Sequence, residues 1–135
     1  MGLFGLFGKQ STWRVLLVED DVPLRRFMAE RLVENGVDVV ETGDGAAVID
    51  LVKEHKPDTV VLDVMLPGKS GMQVLEELRA NDKTTPVVIL TTLSGEGGLK
   101  LEATKHQATF LNKADTALEV VIDTVLRNLN EQEGK

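Results

Sequence analysis

The sequence predicts an α/β fold, a doubly wound parallel sheet with helices on both faces. Three observations lead there. The runs 15–18 (VLLV), 60–62 (VVL) and 87–90 (VVIL) are apolar at consecutive positions, as strands buried on both faces are. Between the runs the apolar residues switch to helical spacing. Strand and helix signals then alternate five times along the chain, and parallel strands joined by crossover helices follow from that order.

The elements can be justified in turn. Trp13 precedes the first strand and is expected at the lower end of the sheet. The first helix places Leu24, Phe27, Met28 and Leu32 on one face, with Pro23 in its first turn and Gly36 at its stop. Phe27 and Met28 read as core. A shorter run at 37–40 is an outer strand. Asp44 caps a second helix that carries Val48, Leu51 and Val52 and is terminated by Pro57. The third strand ends in Asp63. Ser70 and Gln73 make an S-x-x-Q capping box ahead of Val74, Leu75 and Leu78. After the fourth strand, Gly95, Gly97 and Gly98 crowd the start of the fourth helix. Each costs roughly 0.5–1 kcal/mol against alanine, so a short or mobile helix is expected. The run 108–111 is the other outer strand. The last helix carries Leu118, Val121, Ile122, Val125, Leu126 and Leu129 on one stripe behind an Asp115 cap.

With 135 residues the chain fits one domain. Its 22 acidic and 15 basic residues give a formal charge of −7, which repels phosphate backbones and argues against a direct nucleic-acid partner. There is no cysteine, which removes disulfides, thiol catalysis and cysteine-ligated zinc. His55 and His106 are too few for a histidine-rich metal site and read as surface or helix-end residues. No apolar run reaches a membrane span, and no secretory signal is visible. A soluble cytoplasmic domain is the expectation.

Chemistry concentrates at the strand ends. Glu19 and Asp20 close the first strand and Asp21 follows. Asp63 closes the third, Thr91 and Thr92 the fourth, and Lys113 lies just past the fifth. A parallel sheet brings all these ends to one edge, where such folds bind ligands. Two carboxylates ~4 Å apart repel by about 4 kcal/mol at an effective dielectric near 20, so something must offset them. Carboxylate oxygens suit Mg²⁺, and Lys113 supplies a second positive charge. A carboxylate so placed is equipped to attack a phosphoryl group and form an acyl phosphate. For Asp20 or Asp21 alone, capping of the next helix is the competing role.

In these stretches, VLLVEDD (15–21), VVLDVMLPGKSG (60–71), PVVILTT (86–92) and FLNK (110–113), the chain resembles the receiver domain of two-component response regulators of the chemotaxis type. The resemblance runs from about residue 14 to 129. It implies a flavodoxin-like five-stranded sheet of order 2-1-3-4-5, with an extension at 1–12, the receiver at 13–130 and a tail at 131–135. It implies that Asp63 accepts phosphate from a partner's phosphohistidine. Glu19, Asp20, Asp63 and the Met65 main-chain carbonyl would hold Mg²⁺. Thr91 and Lys113 would grip the phosphoryl oxygens. Phe110 would turn inward with Thr91 and couple the site to the face of helix 4, strand 5 and helix 5.

The expected activity is that of a phosphorylation switch rather than an enzyme. Its expected partners are a sensor histidine kinase or histidine phosphotransfer protein and a downstream target protein, with the chain a monomer or a phosphorylation-dependent dimer. The sequence ends with the fifth helix, so a stand-alone receiver is expected. Relay of phosphate to a histidine phosphotransfer protein and a pseudo-receiver that never takes phosphate stand as alternatives.

The sequence departs from the family in places. Lys113-Ala114 replaces the usual Lys-Pro, and a trans bond is expected because a cis non-proline bond costs ~2.5–4 kcal/mol. Thr92 is bulkier than the usual small residue, and His106-Gln107 replaces Gly-Ala. Met65 and Leu93, two residues after Asp63 and Thr91, are apolar and cannot orient water, which predicts slow self-dephosphorylation. Gly68-Lys69-Ser70 fails as a P-loop because position 63 is Asp rather than Gly. A D-x-D phosphatase would need an acid where Met65 stands. At the start, Leu3, Phe4, Leu6 and Phe7 could share an apolar face for membrane contact or docking through residues 1–9, although three glycines oppose a helix. A tail packed on its own domain or left unstructured is the plainer expectation. Leu6 breaks the myristoylation pattern.

Overall fold

The computed structural model describes residues 12–91, 97–113 and 116–133. Five strands and five helices alternate: β1 (Arg14–Val18), α1 (Val22–Glu34), β2 (Asp38–Thr42), α2 (Val48–His55), β3 (Thr59–Asp63), α3 (Gly71–Asn81), β4 (Val87–Thr91), α4 (Gly97–Lys105), β5 (Ala108–Asn112) and α5 (Leu118–Glu133). The strands form one sheet of order β2-β1-β3-β4-β5, and every neighbouring pair is parallel.

The period-two alternation of the strands divides the core into two layers. Leu16, Val18, Val60, Leu62, Val87 and Ile89 face α2, α3 and α4. Val15, Leu17, Val61, Val88 and Leu90 face α1 and α5. β3 and β4 are buried along their whole length, which is why their sequences are apolar at successive positions. Trp13 packs at the edge of the α1/α5 layer.

Local chemistry fixes the helix ends. The Asp21 side chain accepts the Leu24 N–H at 3.1 Å and caps α1, with Pro23 in the first turn. Gly36 follows the helix at φ +83°, a conformation open to glycine. Met28 and Leu32 are fully buried, but Phe27 is 42% exposed and does not join the core. The buried stripe of α1 runs through positions 28, 29 and 32, and Phe27 falls at its margin, where the Arg31 guanidinium lies 5.7 Å from the ring centroid. Asp44 accepts the Ala46 N–H at 2.9 Å. It caps a 3₁₀ turn, Gly45–Ala47, that runs into α2. Ser70 and Gln73 form the reciprocal capping box of α3, at 3.2 and 2.9 Å. α4 is short, nine residues. On α5, Val121, Ile122, Val125 and Leu129 are buried, as their spacing requires.

One buried cation ties the lower corner of the fold together. Arg79, near the end of α3, is 6% exposed. Its Nε donates to the His106 carbonyl at 2.6 Å, Nη1 to the Asp82 carbonyl at 3.1 Å and Nη2 to the Gln107 carbonyl at 3.4 Å. The α4–β5 corner is thereby pinned to α3, with Gln107 at φ +61°.

The expectations for residues 1–9, Thr92, Leu93, Gly95, the Lys113–Ala114 bond and the Asp115 cap lie outside the described residues. Among the described residues no helix is long and apolar enough to cross a membrane.

Candidate functional site

The sheet delivers the strand-end residues to one edge. Glu19 and Asp20 follow β1, which lies beside β3 in the sheet, and Asp63 is the last residue of β3. One carboxylate oxygen from each of Glu19, Asp20 and Asp63 lies within 4.8 Å of the others. Glu19 and Asp63 are 2% and 3% exposed, whereas Asp20 faces solvent. Lys113, just after β5, reaches back across β4. Its ammonium donates to Glu19 Oε1 at 2.8 Å and to Asp63 Oδ2 at 3.5 Å. The Lys113 N–H donates to the Thr91 carbonyl at 2.7 Å, which extends the β4–β5 ladder and fixes where that side chain starts.

The other carboxylate oxygens are held by main-chain donors. The Asp21 N–H donates to Glu19 Oε2 at 3.2 Å, and the Met65 N–H donates to Asp63 Oδ1 at 3.1 Å. Burial, reinforced by the charge of Glu19, pushes the Asp63 carboxyl up to about 6, against the pull of the Met65 N–H and Lys113. Burial works against the charged form of Lys113, but the Glu19 hydrogen bond and the Asp63 and Glu19 charges outweigh it and raise the ammonium above its ordinary value. The pocket therefore carries more negative charge than one lysine balances. Three converging oxygen donors of that kind suit a hard divalent cation such as Mg²⁺.

Thr91 is fully buried at the end of β4. By alternation it lies on the sheet face of Val87 and Ile89, the face against which half-buried Phe110 also packs. Phe110 pairs with Ile89 in the β4–β5 register. The Met65 side chain is 53% exposed, beside the pocket mouth.

Three residues of the site carried no assigned role in the sequence. Arg25 donates from Nε to Glu41 Oε1 at 3.2 Å and from Nη1 to the Glu19 carbonyl at 2.8 Å, and so holds the acidic loop from below. Gly43 leaves that guanidinium room, since a Cβ there would stand 2.9 Å from Arg25 Nη1 and 3.3 Å from the Asp20 Cα. At Gly71 a Cβ would stand 2.2 Å from the Asp63 carbonyl oxygen. The first turn of α3 rests directly on the backbone of Asp63 and Val64, and the Gly71 N–H donates to the Val64 carbonyl at 2.9 Å. A glycine opening a helix was the available signal, since propensity alone disfavours it there.

Known proteins resemble this chain in sequence and fold. The profile of the family described as "Response regulator receiver domain" matches residues 15–123. The transcriptional regulatory protein PdtaR of Mycobacterium tuberculosis is 40% identical over 82 residues, 60% of this chain and 40% of that protein. The response regulator MprA of Mycobacterium sp. (strain KMS) is 38% identical over 78 residues, 58% of this chain and 34% of that protein. The chain thus spans less than half the length of these relatives. Among solved structures, the receiver domain of the Francisella response regulator 1452 superposes with a TM-score of 0.80 at 28% identity, covering 88% of this chain and 98% of that one. The chemotaxis protein CheY4 of Vibrio cholerae superposes at 0.77 with 26% identity, covering 87% and 98%.

Proposed function

This chain belongs to the response regulator receiver domain family, whose members are phosphoacceptors rather than enzymes, and from that membership we propose that Asp63 is its phosphoacceptor and a sensor histidine kinase its donor. The supporting observation is the convergence of Glu19, Asp20 and Asp63, with the ammonium of Lys113 paired to the two buried acids Glu19 and Asp63. In this reading an Asp63 carboxylate oxygen attacks the phosphorus of a phosphohistidine. The P–O bond forms as the P–N bond breaks, and the donor's imidazole keeps the electron pair. Glu19, Asp20, Asp63 and the Met65 carbonyl are the residues that would hold Mg²⁺, which supplies charge neutralisation for the incoming phosphoryl oxygens.

Lys113 has a second task. Its ammonium moves from Glu19 toward a phosphoryl oxygen, so one cation serves the resting and the phosphorylated states. The Thr91 hydroxyl donates to another phosphoryl oxygen. The phosphoryl group adds about −1.5 to −2 charge, and a two-state element responds to the difference in binding between its states. Phe110, on the same sheet face as Thr91, carries that difference to the surface of α4, β5 and α5, where Leu101 and Val120 are 63% and 47% exposed. A downstream protein docks there, in the cytoplasm.

Intact mass after incubation with acetyl phosphate, with and without Mg²⁺ and beside Asp63→Asn, tests the assignment. One added phosphoryl group that requires both Mg²⁺ and Asp63 supports it. A folded wild type that takes no phosphate and does not bind beryllofluoride overturns it in favour of a phosphorylation-independent binding module.

A further inference from the structure

Outside the acid pocket, a second group of metal-ligating side chains meets across two helices. Glu102 on α4 and His106 just beyond it stand at i and i+4, and Glu76 comes from α3. One ligand atom from each lies within 4.8 Å of the other two. We propose that Glu76, Glu102 and His106 form a binding site for a borderline divalent ion of the zinc class, and that the ion fastens α4 to α3.

The geometry of the helical pair carries the proposal. His106 Nε2 stands 3.5 Å from Glu102 Oε2. Zinc bonds of roughly 2.0–2.2 Å at tetrahedral angles put neighbouring ligand atoms roughly 3.3–3.6 Å apart. The imidazole and the carboxylate already stand at the edge length of a tetrahedron. The other Glu102 oxygen, Oε1, is 4.0 Å from the Lys105 ammonium, so the two oxygens face different partners and Oε2 remains for the ion. The Glu76 side chain makes no hydrogen bond or ion pair among the described residues, and it lies close to a second carboxylate, that of Glu102 on α4. Its side chain is exposed and free to change rotamer, which lets the carboxylate approach an ion held by the other two.

Preorganisation comes from the backbone. Arg79, one turn after Glu76, binds the His106 carbonyl at 2.6 Å. The buried guanidinium therefore locks the segment that presents the imidazole to the helix that presents Glu76. The donor set also sets the class of ion. Two carboxylate oxygens with one imidazole nitrogen favour Zn²⁺ and its transition-metal neighbours, whereas Mg²⁺ prefers oxygen ligands and keeps its waters. The two clusters among the described residues thus differ in chemistry, with all-oxygen donors at the strand ends and a nitrogen-containing set at the α3–α4 seam.

Calorimetric titration of the chelator-treated full chain with Zn²⁺, in saturating Mg²⁺ to fill the acid pocket, tests the site. The expected result is one Zn²⁺ per chain, weakened at least tenfold in His106→Ala and in Glu76→Gln and unchanged in Asp63→Asn. The His106→Ala chain keeps the carbonyl that Arg79 binds, so its fold is retained, and a circular dichroism spectrum checks this. Absence of Zn²⁺ binding to the wild type overturns the proposal. So does equal affinity in His106→Ala or Glu76→Gln, or binding that disappears in Asp63→Asn and so belongs to the acid pocket.

Discussion

Replacing Asp63 with asparagine removes one buried negative charge while keeping a carbonyl oxygen for the Met65 N–H. The fold holds the Asp63 carboxyl at about 6, against 3.8 for the free side chain. Each pKa unit is worth ~1.4 kcal/mol, so ionised Asp63 destabilises the metal-free fold by about 3 kcal/mol relative to its protonated form. Asparagine resembles the protonated form. The Asn variant is therefore expected to be about 2–3 kcal/mol more stable than the wild type at pH 7.5, after allowance for the lost 3.5 Å contact with Lys113. At roughly 3–4 °C per kcal/mol for a domain of this size, the melting temperature rises by about 6–12 °C.

The sign has a pH signature. Because the folded pKa lies above the unfolded one, the native state binds more protons between pH ~4 and ~6, and wild-type stability falls as pH rises through that window. The gap between variant and wild type is absent near pH 4, opens up to pH 6 and is constant above it. Urea unfolding of chelator-treated protein at pH 4, 5, 6 and 7.5 reads this directly. Mg²⁺ is expected to narrow the gap at pH 7.5, since it binds the native wild-type pocket. An Asn variant no more stable than wild type at pH 7.5, or a gap that does not change between pH 4 and 7.5, would refute the charge account of the pocket.

Other perturbations have outcomes of stated sign. Lys113→Met leaves buried Glu19 and Asp63 without their cation. It should cost about 3 kcal/mol in urea unfolding, part of it restored by Mg²⁺. Gly71→Ala places a methyl 2.2 Å from the Asp63 carbonyl oxygen. A loss of about 2 kcal/mol or more, together with slower phosphorylation by acetyl phosphate, is expected from the displaced loop. Arg79→Met strands two main-chain carbonyls at the α4–β5 corner and that of Asp82 at the end of α3, and should cost about 3 kcal/mol, with hydrogen exchange accelerated first at 103–108. With Met65 and Leu93 apolar, phosphorylated protein freed of donor should lose its phosphate over minutes or longer, followed by mass spectrometry. Loss within seconds would contradict that expectation.

The layers were legible because burial imposes period. Strands covered on both faces are apolar at successive positions through their middles, as 60–62 in β3 and 87–90 in β4 are, and the polar residues Thr59, Asp63 and Thr91 fall at the strand ends. The stripe on α5 and the capping box on α3 follow from similarly local rules. The acid pocket was legible because a parallel sheet gathers its strand ends, so Glu19, Asp63 and Lys113 could be placed together from the chain order. Phe27 was misplaced because helical periodicity fixes the centre of a face but not its margin, and at the margin a guanidinium replaced the core. Arg25, Gly71 and Arg79 escaped because each acts on main-chain atoms of a neighbouring element. A carbonyl has no letter in the sequence, and the empty space that Gly71 guards is a relation between α3 and β3.

The long reach of Lys113 has a kinetic meaning. The ammonium meets Glu19 across 94 residues of chain and Asp63 across 50. A fragment ending before β5 lacks Lys113, the ammonium that pairs with both acids, so β1 and β3 paired in such a fragment hold their acids without that partner. Contacts this distant in sequence close late, after their loop entropy has been lost. Docking of the last strand then does two things at once: it completes the sheet and neutralises the pocket. On the proposed assignment of Asp63, the pocket that takes phosphate gains its ammonium only when β5 has closed the sheet.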